Sequence, residues 1–221
     1  MNFLDQFLYK QVFLELSGKT KHTGILIDYG NDILVLFNGQ DYFYFPLMQV
    51  QNLNLNRTPD PKLVLPDNST PSNDQDRISF RKILLNAKGM FVKIYVTGNQ
   101  TIHGYVLNVL NDYFLFNSPV YKTMSIAMHH LKWLVPYTQN VTPYTLNNQN
   151  IPFSSMLPST SRTFEEQLKR LEGSIVVFDI GDHPYKIGLL KKVASNSVII
   201  VDGDGDETYW NLQHLKTVHT P

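Results

Sequence analysis

Residues 23–50, TGILIDYGNDILVLFNGQDYFYFPLMQV, decide the fold class that this sequence predicts. The stretch is rich in β-branched and aromatic residues and alternates in part between apolar and polar positions, which is typical of half-buried strands. A small polar turn at Asn31-Asp32 separates its first two apolar runs. We therefore expect three consecutive antiparallel strands here.

The same pattern recurs twice further along the chain, anchored by Gly24, Gly104 and Gly188. Each glycine follows a β-branched segment and precedes a small polar turn, a second apolar run and a short closing segment, at closely matching spacings. Such agreement predicts a threefold internal repeat. A glycine within a strand either permits a sharp bend with close backbone approach or marks an ordinary bulge, and the shared position favours the bend.

Each copy also begins with a short helical pattern. Asn2 can cap FLDQFLYK, Ser79 precedes FRKILLNAKG, and Thr163 forms a capping box with Glu166. The apolar residues of each segment fall on one helical face. Each repeat is therefore predicted to contain a helix followed by about five short strands.

Two connectors rich in Pro, Asn and Ser, residues 54–78 and 137–162, separate the repeats. Stretches this long without periodic structure usually lie between domains. Their apolar pieces, Leu63-Val64-Leu65 and Phe153 to Leu157, could dock on neighbouring domains. The predicted domains are residues 1–53, 79–136 and 163–221.

The first repeat resembles the small Sm-like (SH3-like barrel) domains of unknown function found in spore-forming bacilli. The resemblance covers about residues 8–53 and is weaker in the other two repeats, where glycine spacing and the closing segments MHHL and NLQHL carry it. It implies a mostly β fold of three tandem small five-stranded Sm/SH3-like barrels, each preceded by a short α-helix. The matching residues are Gly24, Leu26, Asp28, Gly30, Asp32, Leu34, Leu36, Phe45-Pro46-Leu47 and Val50.

The resemblance also implies a function, because some members of that family are associated with the spore coat or with sporulation. Sm-like barrels oligomerise through exposed strand edges, and two chains of three barrels could complete a six-barrel ring. We therefore expect a Bacillus protein that is cytoplasmic or part of the spore coat. Its expected function is non-enzymatic assembly through barrel-edge contacts, with protein partners or a second copy of itself.

Sm proteins bind RNA through turn residues, so the resemblance implies an alternative function. In that alternative, RNA, a nucleotide or another small ligand binds in clefts between the barrels. Nineteen basic residues balance nineteen acidic ones and no Arg-Gly pair occurs, so the charge and the motif both argue against RNA. The candidate ligand-binding residues, all at Sm-like turn positions, are Asp28, Asn31, Asp32, Asn111, Asp112 and Asn196.

No catalytic residue, metal site or cofactor is predicted. The chain has no cysteine, nucleophile elbow, P-loop or dinucleotide fingerprint, so we do not expect an enzyme. Asp202-Gly-Asp-Gly-Asp-Glu207 departs from a calcium loop at its sixth and twelfth positions, and a hairpin turn is the simpler interpretation. His129 and His130, if they lie on a strand, point to opposite faces and cannot share a metal.

No uncharged apolar run is long enough to cross a membrane, so no membrane association is expected. Trp133 and Trp210 lie in or beside predicted closing strands. They are either core residues or interface anchors, and the core is the preferred interpretation.

Overall fold

The computed structural model describes residues 3–66, 78–97, 100–137, 144 and 159–221. The apolar piece from Phe153 to Leu157 lies outside these residues. None of the described helices is both long and apolar enough to cross a membrane. Strands account for 47% of the residues and only two α-helices occur in the described chain, so the mostly β prediction is confirmed.

Each predicted repeat contributes five strands, in the order expected. The first repeat has β1 (Gln11–Leu16), β2 (Lys21–Tyr29), β3 (Ile33–Phe37), β4 (Tyr42–Pro46) and β5 (Val50–Leu55). The second repeat has β6 (Phe91–Tyr95), β7 (Thr101–Val109), β8 (Tyr113–Ser118), β9 (Lys122–Ala127) and β10 (Trp133–Pro136). The third repeat has β11 (Ile175–Phe178), β12 (Ile187–Ala194), β13 (Ser197–Val201), β14 (Glu207–Asn211) and β15 (Thr217–His219).

The helices that open the repeats differ in type. The second and third are the α-helices α1 (Phe80–Asn86) and α2 (Phe164–Lys169), and the predicted capping box of Thr163 and Glu166 is present. The first is a 3₁₀ helix, Phe3–Phe7, rather than the expected α-helix. It is short and is followed by Tyr9 with φ of 59°, and 3₁₀ geometry is common in such short pieces.

The chain forms two compact units. Unit 1 comprises Met1–Asn86 and Leu131–Pro136, and its antiparallel strands follow the order β10-β4-β3-β2-β1-β5. Unit 2 comprises Ala87–His130 and Tyr137–Pro221, and its antiparallel strands follow the order β14-β13-β12-β11-β15-β9-β8-β7-β6. The three-domain division stays a prediction, and α1 and β10 of the second repeat lie in unit 1.

The strand pairing leaves the sheet of each unit open. Fourth and fifth strands of one repeat do not pair with each other among the described residues. Instead, β10 of the second repeat pairs with β4 of the first, and β15 of the third pairs with β9 of the second. The hydrogen bonds therefore define an open sheet in each unit rather than separate closed barrels.

The three repeated glycines permit close backbone approach, as the sequence predicts. A Cβ atom added at Gly24, Gly104 or Gly188 would lie 2.7, 2.1 or 2.2 Å from a carbonyl oxygen of the neighbouring strand. These separations exclude any side chain without movement of the backbone. Each strand also has a bulge, but further along than the glycine. The oxygens belong to Phe37, Asn117 and Val201.

Apolar residues from two consecutive repeats share one core in unit 2. Phe164 of α2 packs with Tyr113 and Leu115 of the second repeat and with Val176 and Phe178 of the third. Each large side chain buried in this way stabilises the fold by about 1.5–3 kcal/mol. This core holds the two repeats of unit 2 together.

The two tryptophans have different surroundings. Trp133 is buried in unit 1, where its ring centroid lies 5.2 Å from that of Phe43, so the core interpretation is correct for this residue. Trp210 is half-buried, and its Nε1–H donates to the carbonyl oxygen of Tyr185 at 3.1 Å. The side chain of Trp210 also lies 5.0 Å from Nζ of Lys186.

Residues 202–206 form the hairpin turn between β13 and β14. Oδ1 of Asp202 accepts the backbone N–H groups of Asp204 and Asp206, each at 3.0 Å. The backbone N–H of Asp202 donates to the carbonyl oxygen of Asp206 at 3.0 Å. The first carboxylate of the acidic run is therefore engaged in shaping the turn.

Candidate interaction surfaces at the repeat junctions

The turn aspartates of the first two repeats cap the helix that opens the next repeat. Oδ1 of Asp32 accepts the backbone N–H of Phe80, and Oδ1 of Asp112 accepts that of Phe164, both at 2.8 Å. The first N–H groups of a helix have no intrahelical partner and attract negative charge. Two residues predicted as ligand-binding therefore bind a segment of their own chain.

The turn of the third repeat, Ser195-Asn196, has a different conformation. Both residues have positive φ, 50° and 61°, as in the two-residue turns that favour Asn and Gly. The Asn196 side chain donates to Oδ1 of Asn211 at 3.1 Å and accepts from Nε2 of Gln213 at 3.3 Å. This turn is exposed, and its amide contacts residues of its own repeat.

All three turns nevertheless hold their closing segments in the same way. The backbone carbonyl oxygens of Asp32, Asp112 and Asn196 each accept one N–H from the residue that follows the fourth strand. This shared bond confirms that the three turns are structurally equivalent. The donors are Leu47, Met128 and Leu212, at 2.8, 2.8 and 2.9 Å.

The remaining predicted turn residues have separate roles. Oδ1 of Asp28 accepts the backbone N–H of Tyr29 at 2.8 Å, beside the bulge of β2. Asn31 is exposed. The backbone N–H of Asn111 donates to the carbonyl oxygen of Arg162 at 3.1 Å, so Asn111 and Asp112 contact the same segment before α2.

Tyr113 strengthens the junction that Asp112 begins. Its hydroxyl donates to the carbonyl oxygen of Ser161 at 2.8 Å and lies 3.2 Å from Oε1 of Gln167. Burial raises the pKa of Tyr113 to about 12. The hydroxyl therefore stays protonated at neutral pH and serves as a donor.

Strand addition is the second element of each junction. Leu134 of β10 lies opposite Tyr44 of β4, and Val218 of β15 lies opposite Ser125 of β9. When the repeats are aligned at the ends of their closing segments, Leu134 corresponds to Val218 and Tyr44 corresponds to Ser125. The closing strand of one repeat thus extends the sheet of the repeat before it.

A lysine beside each added strand reaches the preceding repeat. Nζ of Lys132 donates to Oε1 of Gln49 at 2.7 Å and to the hydroxyl of Ser17. Nζ of Lys216 donates to Oγ1 of Thr97 at 3.0 Å. Sequence reasoning missed both lysines, although each directly follows the leucine that ends its closing segment.

A buried carboxylate holds the start of β15. Asp179 is fully buried, and its Oδ1 accepts the backbone N–H groups of Lys216 and Thr217 at 2.7 and 3.0 Å. Its Oδ2 pairs with Nζ of Lys186 at 2.6 Å. Burial alone would lower the pKa of Lys186, but hydrogen bonds and charge from Asp179 and Asp182 outweigh it and raise that pKa.

Two strand edges lack such an addition. Within the part of the chain that the structure describes, β5 pairs only with β1 and β14 pairs only with β13. Leu53 and Tyr209 occupy the positions on these strands that are equivalent to Val218 and Ser125. Tyr209 is exposed and Leu53 is half-buried.

A cavity of about 320 Å³ lies at the junction of the second and third repeats in unit 2. Its lining includes Asp112, His129, Phe164, Glu165 and Gln213. Asp112 and Glu165 are carboxylates and Phe164 is apolar, so the cavity is partly acidic and partly apolar.

The histidine pair at this junction differs from its prediction. His129 and His130 lie in a 3₁₀ helix, Met128–His130, rather than on a strand. Their ring centroids are 4.0 Å apart, and both Nε2 atoms face the carbonyl oxygen of Gln213, at 3.4 and 2.8 Å. The prediction that they point to opposite faces was wrong, because strand alternation does not apply to a 3₁₀ turn.

The chain is similar to a protein-family model and to a protein from Bacillus subtilis. The family model described as the YwrJ third domain matches residues 163–218, which is the third repeat. The protein described as "Uncharacterized protein YwrJ" from Bacillus subtilis (strain 168) is 44% identical over 225 residues, covering the whole of both chains.

Proposed function

The chain belongs to the YwrJ family of Bacillus, and we propose that it is a non-enzymatic structural protein that assembles through the strand edges of three Sm-like barrels. One observation carries this proposal: at both internal junctions, the closing strand of one repeat adds to the fourth strand of the preceding repeat. The same kind of addition between chains would use the two strand edges that receive no added strand among the described residues, those of β5 and β14.

The partner is a second copy of the chain, arranged head to tail. Its β5 adds to β14 in the register seen at both internal junctions, which brings Leu53 opposite Tyr209. Unpaired N–H and C=O groups on an edge strand favour such addition. Three barrels in each of two chains make six, the number that the Sm-like resemblance implies for a closed ring.

The interface between chains is weaker than the internal junctions. Asn52 and Asn54 of β5 are exposed, whereas Trp133 and Val135 are buried at the equivalent positions of β10. Gln51 also replaces the junction lysine found at Lys132. A polar edge limits uncontrolled aggregation, so we expect assembly that depends on concentration.

The decisive test removes one outward N–H from β14. Ala127 donates its N–H to the carbonyl oxygen of Lys216 at 2.9 Å across the internal junction. Ser125, which occupies the position equivalent to Tyr209, lies two residues before Ala127. Because N–H groups alternate in direction along a strand, residues two apart point the same way, and the N–H of Tyr209 points to the free edge. Tyr209→Pro deletes that donor and is tolerated on an edge strand, whereas Tyr209→Thr keeps it.

Native mass spectrometry and sedimentation velocity over a range of concentrations measure the result. We expect two-chain species for the unmodified protein and for Tyr209→Thr, and single chains for Tyr209→Pro. If the unmodified protein is a single chain at every concentration, the assembly proposal is wrong.

The chain is proposed to be cytoplasmic or part of the spore coat, and the spore-coat location is the one to test. The resemblance of the first repeat to spore-associated Sm-like domains supports the spore coat. Mass spectrometry of purified spore-coat extracts from the source organism tests it. Detection only in the cytoplasmic fraction of sporulating cells would contradict it.

A second candidate function is capture of a small ligand, and the cavity in unit 2 favours it. Its volume of about 320 Å³ is within the range of small-molecule sites. The carboxylates of Asp112 and Glu165 repel a phosphate, so a neutral or cationic ligand fits better than RNA or a nucleotide. Retention of a small molecule in native mass spectra, lost in Gln213→Trp, would support this function.

A further inference from the structure

The outer face of each repeat carries a row of three residues that lie opposite one another on its first, second and third strands. We call these the outer rows. They are Gln11–Ile25–Phe37 in the first repeat, Phe91–Tyr105–Asn117 in the second and Ile175–Leu189–Val201 in the third.

The outer row of the first repeat is covered by the segment that follows β5. The Gln11 side chain donates to the carbonyl oxygens of Asp60 and Leu63, at 2.7 and 3.2 Å, and accepts the N–H of Asp60 at 2.8 Å. The Leu63 side chain lies at Gly39, two residues beyond the other end of the row. The central residue, Ile25, is only 3% exposed. Leu63 therefore lies against the first repeat, as predicted for Leu63-Val64-Leu65, whereas the Val64 side chain is exposed.

The outer row of the second repeat is covered by tyrosines that follow β10 in sequence. The rings of Tyr137 and Tyr144 lie 5.2 and 6.4 Å from that of Phe91, centroid to centroid. The Tyr137 hydroxyl is hydrogen-bonded to Nδ1 of His103 at 2.6 Å. The central residue, Tyr105, is 8% exposed, and burial raises its pKa.

The outer row of the third repeat is apolar and open. Ile175 is 51% exposed and Leu189 is 37% exposed, and the adjacent Ile187 is also exposed. A face that normally meets water has little reason to carry three large aliphatic residues in one patch. The same face is covered by a chain segment in both other repeats.

We propose that the outer face of the third repeat is a docking surface for an extended segment of a partner protein that carries aromatic anchor residues. The covered rows identify this chemistry. Gln11 holds the first covering segment through backbone hydrogen bonds, whereas Phe91 holds the second through tyrosine rings. Ile175 stands at the same position and has no hydrogen-bonding group, so its occupant resembles the tyrosine-bearing segment.

This surface is independent of the proposed assembly. Strand addition uses the edge of β14, whereas docking uses side chains on the face of β11 and β12. Loss of one interaction in an edge variant such as Tyr209→Pro therefore leaves the other measurable.

The absence of cysteine in the chain permits a direct test with single-cysteine variants. Leu189→Cys places a thiol in the open row, and Val120→Cys, at a site that is 61% exposed in the second repeat, is the matched control. The probe is a synthetic peptide with the sequence of residues 137–144, YTQNVTPY, and its control has serine in place of both tyrosines.

Thiol modification rates give the answer. When the tyrosine peptide is present at ten times its Kd, we expect it to slow thiol modification of Leu189→Cys about tenfold. The rate in Val120→Cys should not change, and the serine peptide should protect neither site. Ile175→Cys provides a second reporter in case Leu189→Cys fails to fold by circular dichroism.

Three results would overturn the proposal. The first is no protection by the tyrosine peptide up to about 1 mM, the weak end of specific recognition. The second is slow modification of Leu189→Cys in the free protein at a rate like that of Tyr105→Cys, which would mean that the chain covers this row itself. The third is protection that rises with protein concentration alone, which would identify a second copy as the occupant.

Discussion

The turn at Asp112 and the turn at Asn196 occupy the same position in consecutive repeats and have different roles. The Asp112 carboxylate caps α2 and its neighbour Tyr113 is buried against the same segment, whereas Asn196 is exposed and bonds within its own repeat. A carboxylate occurs where a helix N-terminus must be held, and an amide in an exposed tight turn. One backbone motif therefore serves either as a junction or as a free end.

The largest contrast between the junction and the free end involves two aspartates that accept backbone N–H groups. Asp179→Ala removes the closer of the two carboxylates that pair with Lys186 and leaves two backbone N–H groups of the closing strand without an acceptor, which should cost about 3–5 kcal/mol. Asp202→Ala at the exposed hairpin should cost far less. Urea unfolding of both variants measures the difference, and equal losses would contradict it.

Removal of the helix cap should have the next largest effect. Asp112→Ala leaves the N–H of Phe164 without its acceptor and should lower the free energy of unfolding by about 1–2 kcal/mol. Asn196→Gly keeps a residue that tolerates positive φ, so its free energy of unfolding should fall by only a few tenths as much as that of Asp112→Ala.

Asp112→Asn sharpens this comparison because it keeps an acceptor oxygen and removes the charge. We expect a loss of about 0.3–1 kcal/mol, measured by chemical denaturation at low ionic strength and reduced by added salt. A loss as large as that of Asp112→Ala would show that charge, rather than the hydrogen bond, provides the cap.

The lysine contacts predict a smaller coupling at the junction. A double-mutant cycle of Lys216→Met and Thr97→Val should give an interaction energy of about 1 kcal/mol, since the partly buried hydrogen bond links two repeats. The same cycle for Lys191 and Glu207, an exposed ion pair beside β14, should show weaker coupling. A coupling at Lys191 and Glu207 that equals the junction value would remove the distinction.

The smallest expected effect is a pH dependence from the closing strand of the junction. Burial, and then the charge of Lys122, lowers the pKa of His219 below its ordinary value of 6.5. The folded state therefore favours neutral His219, and this contribution to stability is present above pH 6.5 and is lost as pH falls through the lowered pKa. His219→Asn should reduce the pH dependence of thermal stability between neutral and mildly acidic pH.

His22 provides the matched control for this experiment. Burial also lowers its pKa, but it lies in unit 1 among the rings of Phe43, Phe45 and Trp133. The His219→Asn variant should therefore retain the part of the acid sensitivity that comes from His22. If the pH profile of His219→Asn equals that of the unmodified protein, the contribution of His219 is absent.

The repeat and its glycines could be predicted because they depend on local spacing and steric rules. Gly24, Gly104 and Gly188 all lie against a carbonyl oxygen, as the shared position suggested. The ligand-binding role of the turn residues stays a prediction, and the sequence did not indicate that Asp32 and Asp112 cap helices that lie 48 and 52 residues away. Lys132 and Lys216 were missed for the same reason.

The sequence by itself determined the strand pattern, the threefold repeat and the capping box of α2, since each follows from periodicity and near-neighbour sterics. Only the tertiary structure decided which edges pair, which turns receive a helix and which outer row stays open. Strand pairing and side-chain burial depend on contacts between distant parts of the chain. Equivalent turns such as Asp112 and Asn196 therefore acquire different roles from the segments that fold against them.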